Sequence, residues 1–227
     1  MDDLLFVKAC ALGDGCIGQP KNKKTCYISF THSLEQKFYL LWKMKRINAC
    51  LGTCGNVSER TVFDRRTNKV YHSCQSMVTS NKLVEFWKEL YASGKKVITE
   101  KYLSDLNLEA LGVFWMDDGC VVKASNVGLL ATYCDEQQAK VIGSWIHDLT
   151  KTNPKPYIDR GSYRLRITRS EMPSFIYAIK PYILPEMSRK VTLHFKNRTK
   201  SSILYAASLN LSYWQEDDKK ARAQNEF

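Results

Sequence analysis

Apolar residues fill the stretch from Leu4 to Leu12, broken by Lys8, and return from Leu111 to Met116. Each run has the density of a buried helix, and each closes on an acid and a glycine: Ala11-Leu12-Gly13-Asp14-Gly15-Cys16-Ile17 and Trp115-Met116-Asp117-Asp118-Gly119-Cys120-Val121. The downstream segments match as well. Strand-like alternation over Thr25 to Thr31 leads into Ser33-Leu34-Glu35-Gln36, and Gly128 to Tyr133 leads into Cys134-Asp135-Glu136-Gln137. These predict helices from about Glu35 to Arg46, with Phe38, Leu41, Trp42 and Met44, and from about Glu136 to Leu149, with Val141, Ile142, Trp145 and Ile146. A strand pair, a helix containing Phe86-Trp87 or Phe175-Ile176, and a basic close complete each half. The closes are Gly94-Lys95-Lys96-Val97 and Ser188-Arg189-Lys190-Val191. The chain thus reads as two α-β-β-α-β-β-α halves, residues 1–98 and 99–191, with an extension at 192–227, in the α+β class.

The repeated Asp-Gly carries the candidate chemistry. The last carbonyls of a helix lack intrahelical partners and form the negative end of its dipole, and a following glycine lets the chain leave through a left-handed turn. One Asp-Gly is an ordinary turn signal. Two in matched contexts would bring Asp14 and Asp118, with the carbonyls of Gly13 and Asp117, into an oxygen-rich site suited to Mg²⁺. Without a cation the carboxylates would repel, and one would hold a proton.

Charge then indicates the partner. Lys and Arg number 34 against 23 Asp and Glu, a net +11, as expected of a protein that binds a polyanion. The excess is concentrated in residues 1–98 (16 basic, 8 acidic), whereas residues 99–191 are nearly balanced (12 and 11). In the second half local clustering has to supply the basic surface. Tyr163-Arg164-Leu165-Arg166-Ile167-Thr168 puts Arg164, Arg166 and Thr168 on one strand face, opposite Tyr163, Leu165 and Ile167. Lys69 to Ser76 offers a further polar strand, and Lys21, Lys23, Lys24, Arg65, Arg66, Lys123, Lys155 and Arg160 fall in or beside loops. Such sheets can enter a major groove while flanking cations meet phosphates.

With these motifs in hand, the chain resembles a LAGLIDADG homing endonuclease of the monomeric, two-repeat type, closest to its group I intron branch. The family helix motif falls on Val7 to Gly15 and Leu111 to Gly119, its metal-binding acid on Asp14 and Asp118, and its basic active-site residue on Lys96 and Lys190. Lys8 and Cys10 stand where small or apolar residues are usual. Gly94 to Ile98 resembles the family linker, with Thr99 in place of a frequent proline, and Lys180 to Met187 resembles the approach to the end of the second half.

The resemblance implies a saddle of two β-sheets over DNA, with the motif helices packed at a pseudo-twofold axis and a scissile phosphate near each acid. Small residues Ala9, Ala11, Gly13, Ala110 and Gly112 would allow close approach, and Leu4, Leu5, Phe6, Val113, Phe114 and Trp115 would be buried. It further implies Mg²⁺, with Mn²⁺ as a substitute and Ca²⁺ binding without efficient cleavage. The expected partner is double-stranded DNA with a long target site, with the chain's own intron RNA as a further partner, and a single chain suffices. The rival readings are an RNA-binding maturase and a DNA-binding relative without cleavage.

Eight cysteines do not follow a paired metal-binding spacing, so a zinc site at Cys50, Cys54, His72 and Cys74 is disfavoured, and Cys16 and Cys120 are expected to begin strands. Asp2 and Asp3 stand where a secretory signal would be basic, which gives an intracellular expectation with reduced thiols. No apolar run approaches the roughly 18 residues of a membrane span. The extension is expected to hold a helix around Ile203 to Trp214.

Overall fold

The structure is a computed structural model and describes residues 3–194. The helix expected in the extension lies outside these residues. Two helices form the centre. Asp3–Leu12 (α1) and Leu108–Asp118 (α5) are each buried on nearly every side, which explains why their sequences are apolar all round rather than striped. They pack against each other. Asn107 caps α5, its side chain accepting the N–H groups of Glu109 and Ala110.

Each central helix leads into a four-stranded antiparallel sheet. Cys16–Gly18 (β1), Cys26–Ser33 (β2), Ser58–Asp64 (β3) and Lys69–Ser80 (β4) run in the order β1-β2-β4-β3. Gly119–Val122 (β5), Val127–Cys134 (β6), Lys155–Asp159 (β7) and Ser162–Ile167 (β8) repeat that order as β5-β6-β8-β7. Lys37–Leu51 (α2) and Val84–Tyr91 (α3) accompany the first sheet, and Glu136–Thr150 (α6) and Met172–Ile179 (α7) the second. The α-β-β-α-β-β-α reading therefore holds in both halves. A short added helix, Glu100–Leu103 (α4), joins them.

Several boundaries differ from the expected ones for physical reasons. Leu34–Gln36 is a 3₁₀ turn, and α2 then continues to Leu51, where Gly52 ends it in the left-handed conformation (φ 68°). Thr99 begins α4 by accepting the N–H of Tyr102, so it performs as a cap the helix-starting role expected of a proline. Cys16 begins β1, and Cys120 is the second residue of β5.

The glycines after the two acids correct the expected left-handed exit. Gly119 is extended (φ −83°), and Gly15 is not among the residues with positive φ. Both are required for space. A Cβ at Gly119 would collide with the Trp115 ring, and one at Gly15 would press on the Cys10 carbonyl. Gly112 is also a spacer, but toward Tyr182 rather than toward α1. Leu4 is another correction: it is 37 % exposed, whereas Phe6, Val113, Phe114 and Trp115 are buried as expected and Leu5 is partly buried.

Residues 61–64 and 69–72 of the β3–β4 ribbon extend past the end of β2, whose last residue, Ser33, pairs with Ser73. Apart from the half-buried Asp64, the side chains of this projecting part are exposed.

Candidate active site at the paired helix ends

The ends of α1 and α5 meet, and four of the predicted residues converge there. Lys96 lies between the halves, and its Nζ donates to the carbonyls of Leu12 (2.7 Å) and Gly13 (2.9 Å). Lys190 Nζ donates to the carbonyls of Asp117 (3.1 Å) and Gly119 (2.7 Å). Each lysine thus donates to one of the last carbonyls of the helix in its own half, Leu12 or Asp117, and to a carbonyl just past its end, Gly13 or Gly119. Burial lowers the pKa of both ammonium groups, and nearby Asp side chains oppose that shift.

Asp14 and Asp118 face this junction in different surroundings. The Asp14 side chain is 34 % exposed. Its pKa is raised, first by burial and then by the Asp117 charge, against the lowering effects of Lys43 and His32. Asp118 is more enclosed and is pushed up to about 7 by burial, by Asp14 and by Asp117. Burial is the leading cause for both acids, and the carboxylate crowding expected from the sequence adds to it in each.

The sequence reading places the Asp117 carbonyl at this site, and the structure adds its side chain. This side chain is fully buried and paired with Lys43 Nζ (2.5 Å), itself fully buried, and its Oδ1 also accepts the Tyr39 hydroxyl (2.7 Å). Its Oδ2 accepts the backbone N–H of Asp14 (3.1 Å).

His32 is a residue the sequence pattern does not single out. Its Nδ1 lies 3.5 Å from Asp14 Oδ2 and 3.2 Å from Gln36 Oε1, and its Nε2 is buried without a hydrogen-bond partner. Burial and the Lys43 charge lower its pKa. Ligand-capable atoms of Asp14, His32 and Asp117 lie within 4.8 Å of one another. The one local signal for His32 is its phase: it occupies the buried face of β2 with Cys26, Ile28 and Phe30.

Lys8 is accommodated by acids near its helix. Its Nζ meets Asp105 at 2.6 Å and Glu89 at 3.8 Å and lies over the Tyr102 ring.

The predicted basic residues do not gather at this junction. Lys21, Lys23 and Lys24 are exposed in the β1–β2 connection, and Arg65, Arg66 and Lys69 are exposed at the β3–β4 turn, toward the opposite end of that sheet. Lys123 lies in the β5–β6 turn and Arg160 in the β7–β8 turn. Arg166 is exposed on β8 and pairs in register with Lys155. Arg164 is committed elsewhere. It bonds to Asp159 (2.8 Å) and the Tyr133 hydroxyl (3.0 Å) and stacks on the Tyr133 ring.

Paired helix ends bearing acids, lysines on their carbonyls, and two basic-tipped sheets define the architecture of a two-repeat LAGLIDADG protein. The profile of the LAGLIDADG DNA endonuclease family matches residues 10–175, and the chain belongs to that family. It is 26 % identical over 206 residues to DNA endonuclease I-ChuI from Chlamydomonas applanata, covering 84 % of this chain and 93 % of that protein. Its fold is similar to that of the homing endonuclease I-WcaI bound to its DNA recognition sequence. That match has a TM-score of 0.74 and 15 % identity, with 86 % of this chain and 88 % of that one covered.

Proposed function

We propose that this chain is a homing endonuclease that cuts both strands of a long, specific duplex site, using divalent metal held by Asp14 and Asp118. The supporting observation is the pairing of these acids at adjoining helix ends with Lys96 and Lys190 bonded to the same ends. The names of the related proteins, a DNA endonuclease and a homing endonuclease on its recognition sequence, agree with this reading.

The residues fit a hard cation. Carboxylates and carbonyls are oxygen donors, and the pKa of Asp118 is raised by burial and then by the Asp14 and Asp117 charges, which a bound cation would offset. Asp14 and Asp118 would be the ligands, joined by the carbonyls of Gly13 and Asp117 when the lysines release them. When bound, Mg²⁺ or Mn²⁺ supplies phosphate polarisation, an acidified water and stabilisation of the leaving 3′ oxygen. Ca²⁺ would hold DNA without efficient turnover. Lys96 and Lys190 stand close enough to the helix ends to order water and to offset charge as it grows on the phosphate.

The sheet faces away from the helices would lie along the duplex. In register, Ser29, Thr31, Ser33, Ser73, Gln75 and Ser58 present hydroxyl and amide groups for base edges. The arginines and lysines at the hairpin tips would meet phosphates farther out. One chain with halves at residues 1–98 and 99–191 supplies both sites, so a monomer would act. The test is incubation with a library of long duplexes, including the uninterrupted junction flanking the reading frame, in Mg²⁺. Discrete double-strand ends support the proposal; tight binding with no cut in any divalent metal overturns it.

A further inference from the structure

The two sites are built unequally. The Asp117 side chain comes from the second half, yet Lys43, Tyr39 and the backbone N–H of Asp14, its three partners, all belong to the first. A Cβ on Gly13 would collide with this carboxylate, so glycine at that position admits it. Gly13 is itself the counterpart of Asp117 in the first motif and has no side chain to insert into the second half. Counted from the start of each helix, Tyr39 and Lys43 of α2 correspond to Gln138 and the buried Ile142 of α6, which offers no cation. Instead of a wedge, that side has a cavity of about 250 Å³ lined by Gly13, Lys96, Phe114, Asp118, Thr132 and Gln138.

We propose that Asp117 is a positioning residue for Asp14. Its carboxylate, held by Lys43 and Tyr39, fixes the Asp14 backbone, so losing that acceptor impairs cleavage of one DNA strand far more than the other. The strand effect rests on the nuclease reading; the effect on the Asp14 backbone does not. A residue that merely supported folding would slow both strands alike.

Two paired variants separate these cases. Lys43→Met/Asp117→Ala removes both buried charges and the acceptor. Lys43→Met/Asp117→Asn removes the charges but keeps a carboxamide oxygen for the Asp14 N–H, with its NH₂ facing the Tyr39 hydroxyl. Hydrogen exchange of the Asp14 amide in metal-free protein is read first. Protection is expected in wild type and the asparagine pair, with clear loss in the alanine pair. Single-turnover cleavage of a duplex labelled on each strand separately is read second. The alanine pair is expected to shift the ratio of strand rates by about tenfold or more, because small misplacements of reacting groups are costly, and the asparagine pair to keep it within about threefold. Tyr39→Phe, which loosens the same carboxylate with its ion pair intact, should shift the ratio in the same direction by less. Equal slowing of both strands, or unchanged exchange at Asp14 in the alanine pair, overturns the proposal. Failure of wild type to cut either strand defeats the nuclease reading instead and leaves the exchange result to decide whether Asp117 holds Asp14.

Discussion

Lys96 donates from Nζ to the carbonyl of Gly13 at 2.9 Å, joining the linker between the halves to the residue before Asp14. A donor so placed occupies the carbonyl when the site is at rest and is at hand when charge builds on a phosphate. Lys96→Met should therefore slow cleavage by about a hundredfold while leaving DNA binding in Ca²⁺ nearly as tight. Lys96→Arg should not restore the rate, because a rigid planar fork does not replace a compact ammonium group. Single-turnover cleavage beside a binding titration checks both statements.

The buried pair of Lys43 and Asp117 should matter to stability as well as geometry. Removing one partner leaves the other charged and enclosed, so Lys43→Ala should cost about 3–5 kcal/mol in urea unfolding. Lys43→Met/Asp117→Asn, which removes both charges, should recover most of that loss.

These two residues also mark where sequence reading ends. The duplicated α-β-β-α-β-β-α order is legible because hydrophobic period and turn residues are local properties, and the motif acids because Asp-Gly recurs at a matched place. Lys43 lies on the buried side of α2 with Tyr39 and Ile47, a phase that marks it as unusual. Nothing local says that its partner is 74 residues away in the other half. His32 is hidden in the same way, its phase visible and its neighbour Asp14 not. Arg164 shows the converse: strand alternation places it correctly, but Asp159 and Tyr133 hold it. A general rule makes the glycines after Asp14 and Asp118 turn formers, whereas crowding within the preceding helix turn, by the Cys10 carbonyl and the Trp115 ring, explains them.

Asp118 contributes a defined part of the pH dependence of the metal-free protein, in the same direction as the raised Asp14. The Asp118 carboxyl titrates near 7 when folded and near 3.9 when unfolded, so between those values the folded state holds the extra proton. Stability from this group falls as pH rises through that window and levels off above about 7. His32, lowered by burial, works oppositely below about 6.5, so the comparison should be wild type minus Asp118→Asn. That difference should decline from about pH 5 to pH 8 in urea unfolding curves; a rise would show that the Asp118 carboxyl is not raised. Ca²⁺ affinity should increase over the same range, because the cation replaces the proton.

The hairpin tips give an electrostatic prediction. Arg65→Ala/Arg66→Ala removes two exposed cations from the β3–β4 turn, far along the sheet from the acids. Binding should weaken for specific and nonspecific duplexes alike, and the slope of log affinity against log salt should become shallower by about 0.9 for each phosphate that is no longer neutralised. The cleavage rate of bound DNA should change little. Affinity measured across a salt series, with single-turnover rates at saturation, separates the two effects.

The most direct test of the two-carboxylate mechanism is cleavage of a cognate duplex in Mg²⁺ by wild type, Asp14→Asn and Asp118→Asn, each matched with binding in Ca²⁺. Wild type should make double-strand cuts, neither variant should make any, and all three should retain DNA binding. Double-strand cutting that survives either substitution would contradict a mechanism built on these two carboxylates.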